Sequence, residues 1–260
     1  DMSGVTAVPL PVEADMLPDP EKAAASITPR TRAIALVAPN NPGGVEYPAA
    51  LVQDFFDLAR RHGIALILDE TYRDFHSRPG PPHALFSDPD WHDTLIHLYS
   101  FSKAYRLTGH RVGALIASKA RLAEVEKFLD TVAICPAQIG QYGALWGMQN
   151  LSAWLAGERE EILARRAAIS ALMPKIEPLG WELLGLGGYF AYMRHPFGIS
   201  SADLAPQLVR DAGVLCLPGT MFQPKGDARG ESQLRIAFAN LDTAGLEVLF
   251  DRLAALPRNA

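Results

Sequence analysis

The stretch SFSKAYRLTGHRVG, residues 100–113, sets one lysine and two arginines among serines, glycines and a threonine. Apolar runs flank it at 95–99 and 112–117. Both are strand-sized, so the polar segment reads as a loop at a sheet edge. A solvated loop explains one lysine there. Lys103 followed eight residues later by Arg111 suits a reactive amine beside an anion site better, and the rest of the chain decides between the two.

Outward from that loop, AIALVA (33–38), IALIL (64–68), TLIHLYS (94–100) and VGALIAS (112–118) predict strands. VTAVPL (5–10) predicts another, weakened by Pro9. PAALVQDFFDLARRHG (48–63) predicts a helix, with Leu51, Phe55, Leu58 and His62 at helical spacing, Pro48 in the first turn and Gly63 as cap. KARLAEVEKFLDTVA (119–133) predicts a second helix, and 151–173 a long third. Apolar strands alternating with helices predict an α/β fold, a mainly parallel sheet sandwiched by helices. After 173 the texture changes. Strands are expected in 181–193, 214–219 and 232–239, and helices in 201–213 and 242–256, the last with Asp242 as N-cap. The expected division is a large domain over 1–165 and a smaller C-terminal α+β domain over 166–260.

The chain has 260 residues, 48% of them hydrophobic, which is enough for a large core. A net charge of −5 gives no electrostatic case for nucleic acid or an anionic membrane as partner. No apolar run reaches membrane-span length. Cys135 and Cys216 form no framework and point to a reducing, cytoplasmic setting. The seven histidines show no metal-ligand spacing, and no metal is expected.

In parallel sheets ligands gather beyond the carboxyl ends of the strands. There stand Asn40 and Asn41 of NNPGG, Asp69, Glu70 and Tyr72 of DETY, and Ser100, Ser102 and Lys103 of SFSK. Each alone has a plain reading as a turn, a cap or a solvated lysine. LILDE resembles the acidic strand end of a P-loop ATPase, but the chain holds no G-x-x-x-x-G-K-[ST]. GLGGYF (185–190) lacks dinucleotide-loop spacing. Together the groups suit a lysine that forms a Schiff base with a carbonyl, most commonly that of pyridoxal phosphate. Asp69, kept ionised by adjacent positive charge, suits the ring nitrogen. Asn41 and Tyr72 suit the ring oxygen, and Ser100 and Arg111 the phosphate.

These motifs, with the late LRIAFA, follow one another as in class I/II aminotransferases, the fold-type I pyridoxal-phosphate enzymes, which the chain resembles over essentially its whole length. The family lysine motif S-x-S-K, then glycine, then R-x-G, is matched by Ser100, Lys103, Gly109, Arg111 and Gly113. Its N-P-T-G turn is matched from Asn41 to Gly44, with glycine for threonine, and its D-x-x-Y by Asp69 and Tyr72. The resemblance implies a cofactor-binding large domain with Lys103 as the Schiff-base and proton-moving residue, and Arg235 as clamp for the substrate α-carboxylate. It implies amino acid and 2-oxo acid substrates and a homodimer with sites at the subunit interface. It also implies a phosphate-binding turn, a ring-stacking aromatic residue and an arm upstream of Asp1, without which cofactor binding is expected to be weak.

Carbon–sulfur lyases, certain synthases and decarboxylases share these motifs. So does the effector-sensing domain of some transcription regulators, which carries a DNA-binding head upstream. Arg106, Tyr189 and Phe222 are candidates to face a substrate, with packing or surface roles equally open.

Overall fold

The computed structural model describes residues 4–224 and 226–257. Helix α1 (Pro20–Ser26) precedes β1 (Ala33–Val37), α2 (Ala49–Arg61) and β2 (Ala65–Asp69). Then come α3 (Trp91–Thr94), β3 (Leu95–Ser100), α4 (Phe101–Ala104) and β4 (Gly113–Ile116). Three helices follow: α5 (Lys119–Val132), α6 (Gln138–Asn150) and α7 (Ser152–Leu172). The remainder holds β5 (Glu182–Gly187), β6 (Phe190–Arg194), α8 (Ser201–Gln207), β7 (Leu217–Pro218), β8 (Gln233–Ala237) and α9 (Thr243–Ala254).

The chain divides into two units. One takes 27–40 and 46–160; the other takes the chain up to Ser26, 41–45, and everything from Glu161 on. The segments before 27 and at 41–45 therefore group with the C-terminal part, not with the rest of 1–165.

In the first unit the sheet order is β1-β2-β3-β4. β1, β2 and β3 run parallel, and β4 pairs antiparallel with β3, Ser100 opposite Gly113. Leu66, Leu68 and Leu95 are fully buried, as expected for short apolar strands. Helix α2 covers them with Val52, Phe55, Phe56, Leu58 and Ala59. The buried stripe starts at Val52, not Leu51, and His62 is the exposed C-cap, outside the apolar row. Phe55 and Phe56 are each 0% exposed, worth roughly 2–3 kcal/mol apiece in transfer free energy. Gly63 ends the helix at φ +62°, a conformation that favours glycine.

In the second unit the order is β5-β6-β8-β7, antiparallel throughout. The Asp242 side chain caps α9 by accepting the Gly245 N–H at 2.8 Å. The 41–45 turn rests on the β5–β6 hairpin. A Cβ on Gly44 would lie 2.5 Å from the Phe190 carbonyl oxygen, and one on Gly185 would lie 2.2 Å from that of Gly43. Gly185 and Gly187 of GLGGYF thus serve close backbone packing.

Three expectations need correction. Residues 5–10 form no strand; only a Val12–Pro18 bridge occurs nearby, because Pro9 and Pro11 offer no N–H to a ladder. The strand expected over 214–219 is reduced to Leu217–Pro218. The helix expected over 201–213 is α-helical to Gln207 and continues in wider turns to Ala212, with Gly213 as its left-handed cap.

Candidate active site

Because β1, β2 and β3 are parallel, their carboxyl ends share one edge. Asp69 closes β2, between Val37 and Leu98 in register. Its Oδ1 accepts the Thr71 N–H at 2.9 Å and the Thr71 hydroxyl at 2.7 Å, the turn expected of an aspartate at a strand end. Tyr72, three residues on, is 6% exposed and opens a tight turn, Arg73–Phe75. The Tyr99 hydroxyl donates to Asp74 at 2.5 Å and ties that turn to β3. Burial, then the Asp74 charge, pushes the Tyr99 phenol well above its ordinary range.

The lysine loop is built from its two ends inward. Ser100 Oγ accepts the Ser102 N–H at 3.2 Å and starts α4. Phe101, Ser102 and Ala104 turn into the protein, leaving Lys103 half-buried between them. The Phe101 N–H donates to the Val112 carbonyl at 3.2 Å and draws the loop ends together. Arg111 sits at φ +51°, and its Nη1 donates to the Thr108 carbonyl at 3.0 Å and to Ser102 Oγ at 3.5 Å. Gly113 is required by contact: a Cβ there would lie 2.8 Å from the Tyr99 carbonyl oxygen.

Ser100, Lys103 and Arg111 therefore stand on one loop, as expected. The serine hydroxyl that Arg111 reaches is that of Ser102, however, while Ser100 Oγ accepts from the backbone. Helix α6, which no sequence signal marked, presses glycines on this loop. A Cβ on Gly147 would lie 2.8 Å from the Tyr105 ring, and one on Gly140 would lie 3.1 Å from the His110 carbonyl oxygen. Arg106, a candidate to face a substrate, pairs with Glu158 at 2.5 Å and lies over the Trp154 ring.

Next in the chain to Asp69, Glu70 stands in a buried polar cluster that no local motif announces. Glu70 is 1% exposed. Its Oε2 lies 2.7 Å from His97 Nε2, 3.3 Å from His83 Nε2 and 3.7 Å from Arg73. His83 Nδ1 accepts the Leu85 N–H, which puts the ring proton on Nε2, facing the carboxylate. Burial pushes the Glu70 carboxyl up, but hydrogen bonds from His83 and His97 and the Arg73 charge outweigh it and hold it at about 2. A depressed carboxyl stabilises the fold fully above its unfolded pKa and loses that contribution as pH falls toward about 2. Glu70→Gln is expected to lower the unfolding free energy by about 2 kcal/mol at neutral pH. In urea titrations the gap to wild type should close as pH drops from about 5. A gap constant with pH would show that the charge is not its source.

In the second unit, Arg235 on β8 donates from Nη1 to Asn41 Oδ1 at 2.7 Å. Its guanidinium carbon lies 4.4 Å from the Phe190 ring centre and 4.8 Å from that of Phe222. The seven expected residues thus fall into two groups. Asp69, Tyr72, Ser100, Lys103 and Arg111 belong to the parallel-sheet unit, and Asn41 and Arg235 to the other.

The family model for aminotransferases of class I and II matches residues 1–253. The chain belongs to that family. Among relatives in the class I and II family, it is 30% identical over 248 residues to the "Probable aspartate/prephenate aminotransferase" of Thermus aquaticus, covering 88% of this chain and 61% of that one. It is 26% identical to the LL-diaminopimelate aminotransferase of Oleidesulfovibrio alaskensis, covering 98% of this chain and 64% of the relative. A tetra mutant of Thermus thermophilus aspartate aminotransferase superposes with a TM-score of 0.80 at 25% identity, over 92% of this chain and 64% of that structure. The chain thus spans less than two thirds of each relative. Among the described residues no helix is long and apolar enough to cross a membrane.

Proposed function

We propose that this protein is a pyridoxal-phosphate-dependent aminotransferase that moves an amino group between an amino acid and a 2-oxo acid. The observation that carries the reading is the closed loop in which Lys103 and Arg111 are held at the carboxyl edge of the sheet that ends in Asp69. The donor set fits the cofactor. Lys103 offers an amine to its carbonyl, and Asp69 Oδ2, which takes neither Thr71 bond, offers a carboxylate oxygen to its ring nitrogen. Arg111, Ser100 and Ser102 offer a guanidinium and two hydroxyls to its phosphate. Asn41 and Tyr72 offer an amide and a phenol to its ring oxygen.

When bound, the cofactor supplies an electron sink that acidifies the substrate Cα–H. With the cofactor bound, the Lys103 amine would move that proton. Arg235 binds the α-carboxylate through two parallel N–H bonds and so orients Cα. The reading extends to a cofactor-binding large domain within 1–165, a cytoplasmic setting and a homodimer. Phe128 and Val132 on α5, and Ile139, Tyr142 and Trp146 on α6, stand at helical spacing and are 58–69% exposed; these apolar helix faces support the dimer, since exposed apolar patches mark interaction surfaces.

The test adds pyridoxal phosphate to the full chain and follows amino acids in the presence and absence of a 2-oxo acid. Amino transfer that requires the 2-oxo acid is expected. Release of ammonia and pyruvate without it would replace the transferase reading with a lyase. No spectral response to any amino acid would reject both.

A further inference from the structure

We infer that Phe190 and Phe222 are positioning residues that hold the Arg235 guanidinium between two rings and so fix the plane in which it meets a carboxylate. The inference rests on the carboxylate-binding role proposed above for Arg235. Phe190 opens β6 opposite Ala237, and Tyr192 pairs with Arg235 itself. Phe190 is thus a diagonal neighbour of Arg235 on one sheet face, within reach of an aromatic ring. Phe222 comes from the turn after β7, and the guanidinium carbon lies over its ring as well, 4.8 Å from the centre. An arginine so enclosed accepts ligands at its edge alone, and Asn41 occupies one position along that edge. The electron-rich ring faces also favour the cation and exclude water from it, which strengthens any bond it makes to an anion.

Phe222 lies outside regular strands, yet its place is set by a buried polar relay. Its ring meets the Tyr192 ring edge-on at 6.5 Å. The fully buried Tyr192 donates its hydroxyl to Gln233 Oε1 at 2.9 Å. Gln223 Nε2, next in the chain to Phe222, donates to the same oxygen at 3.3 Å. Gln233 is two residues from Arg235 on β8, so one strand presents the arginine and anchors the segment that covers it.

The test compares wild type, Phe222→Leu and Phe222→Tyr in the cofactor-loaded full chain, with an α-amino acid and with its α-amide. Phe222→Leu is expected to raise KM for the acid about tenfold with kcat changed less than about twofold. Phe222→Tyr, which keeps the ring, should restore KM, and the amide should be turned over alike by all three. An unchanged KM in Phe222→Leu, equal loss in the two variants, or equal loss with the amide would overturn the inference. If wild type transaminates no amino acid, the functional reading fails instead. The clamp is then judged by NMR: the Arg235 Nε–H resonance, shifted by the ring currents, should move in Phe222→Leu, and an unmoved resonance overturns it.

Discussion

Lys103→Ala is expected to abolish amino transfer, with a loss of at least about 10⁴-fold, and to leave the fold intact. On the proposed function, two roles would leave with one amine: the covalent hold on the cofactor carbonyl and the movement of the Cα proton. No neighbour replaces it, because a guanidinium has no acceptor to take a proton and the serine hydroxyls are poor bases. The fold survives because the packing of α4 rests on Phe101, Ser102 and Ala104, and alanine favours a helix. The checks are a thermal melt within a few degrees of wild type, and absence of the absorbance of a lysine-bound cofactor. A variant that transaminates at the wild-type rate would remove Lys103 from the mechanism.

Arg235→Lys should cost roughly 10²-fold in kcat/KM, chiefly through KM, despite the retained charge. Lysine offers a point charge where a planar fork is required, so one of two parallel bonds to the carboxylate is lost. An ammonium also fits less well between the Phe190 and Phe222 rings, and the Asn41 amide loses a directed donor. Steady-state kinetics with an amino acid and its α-amide would separate the causes. A loss confined to the acid supports carboxylate binding, and an equal loss with both substrates points to structural damage.

Much of this was legible from local signals. The helix over 49–61, the Asp242 cap and the Gly63 and Gly213 stops follow from short-range chemistry, and each appears where its residues predict it. The lysine loop was legible because strand, serine cap, lysine and R-x-G lie within fourteen residues. What stayed hidden is non-local. Asn41 and Arg235 are 194 residues apart, and nothing in either segment announces the bond between them. Glu70 reads as part of a turn until His83 and His97 are brought to it by the fold. Helix α6 escaped notice because glycines form its packed side, while Tyr142, Leu145 and Trp146 face outward. The strand expected at 5–10 failed for a local reason: Val5 and Val8 suit a sheet, but Pro9 and Pro11 bring no N–H to a ladder.

The antiparallel pairing of β4 with β3 gives the lysine loop a fixed length. Ser100 lies opposite Gly113, and the intervening residues close on themselves through the Phe101–Val112 bond. Adding or removing one residue would slip the register and turn every β4 side chain to the other face of the sheet. Amine and guanidinium are thereby spaced by a measured span of chain. Residues such as Thr108 and Gly109 are free to vary in kind so long as their number is kept; a Cβ on Gly109 would meet nothing within 4 Å. Substitutions in this span are therefore expected to be tolerated far more readily than insertions or deletions.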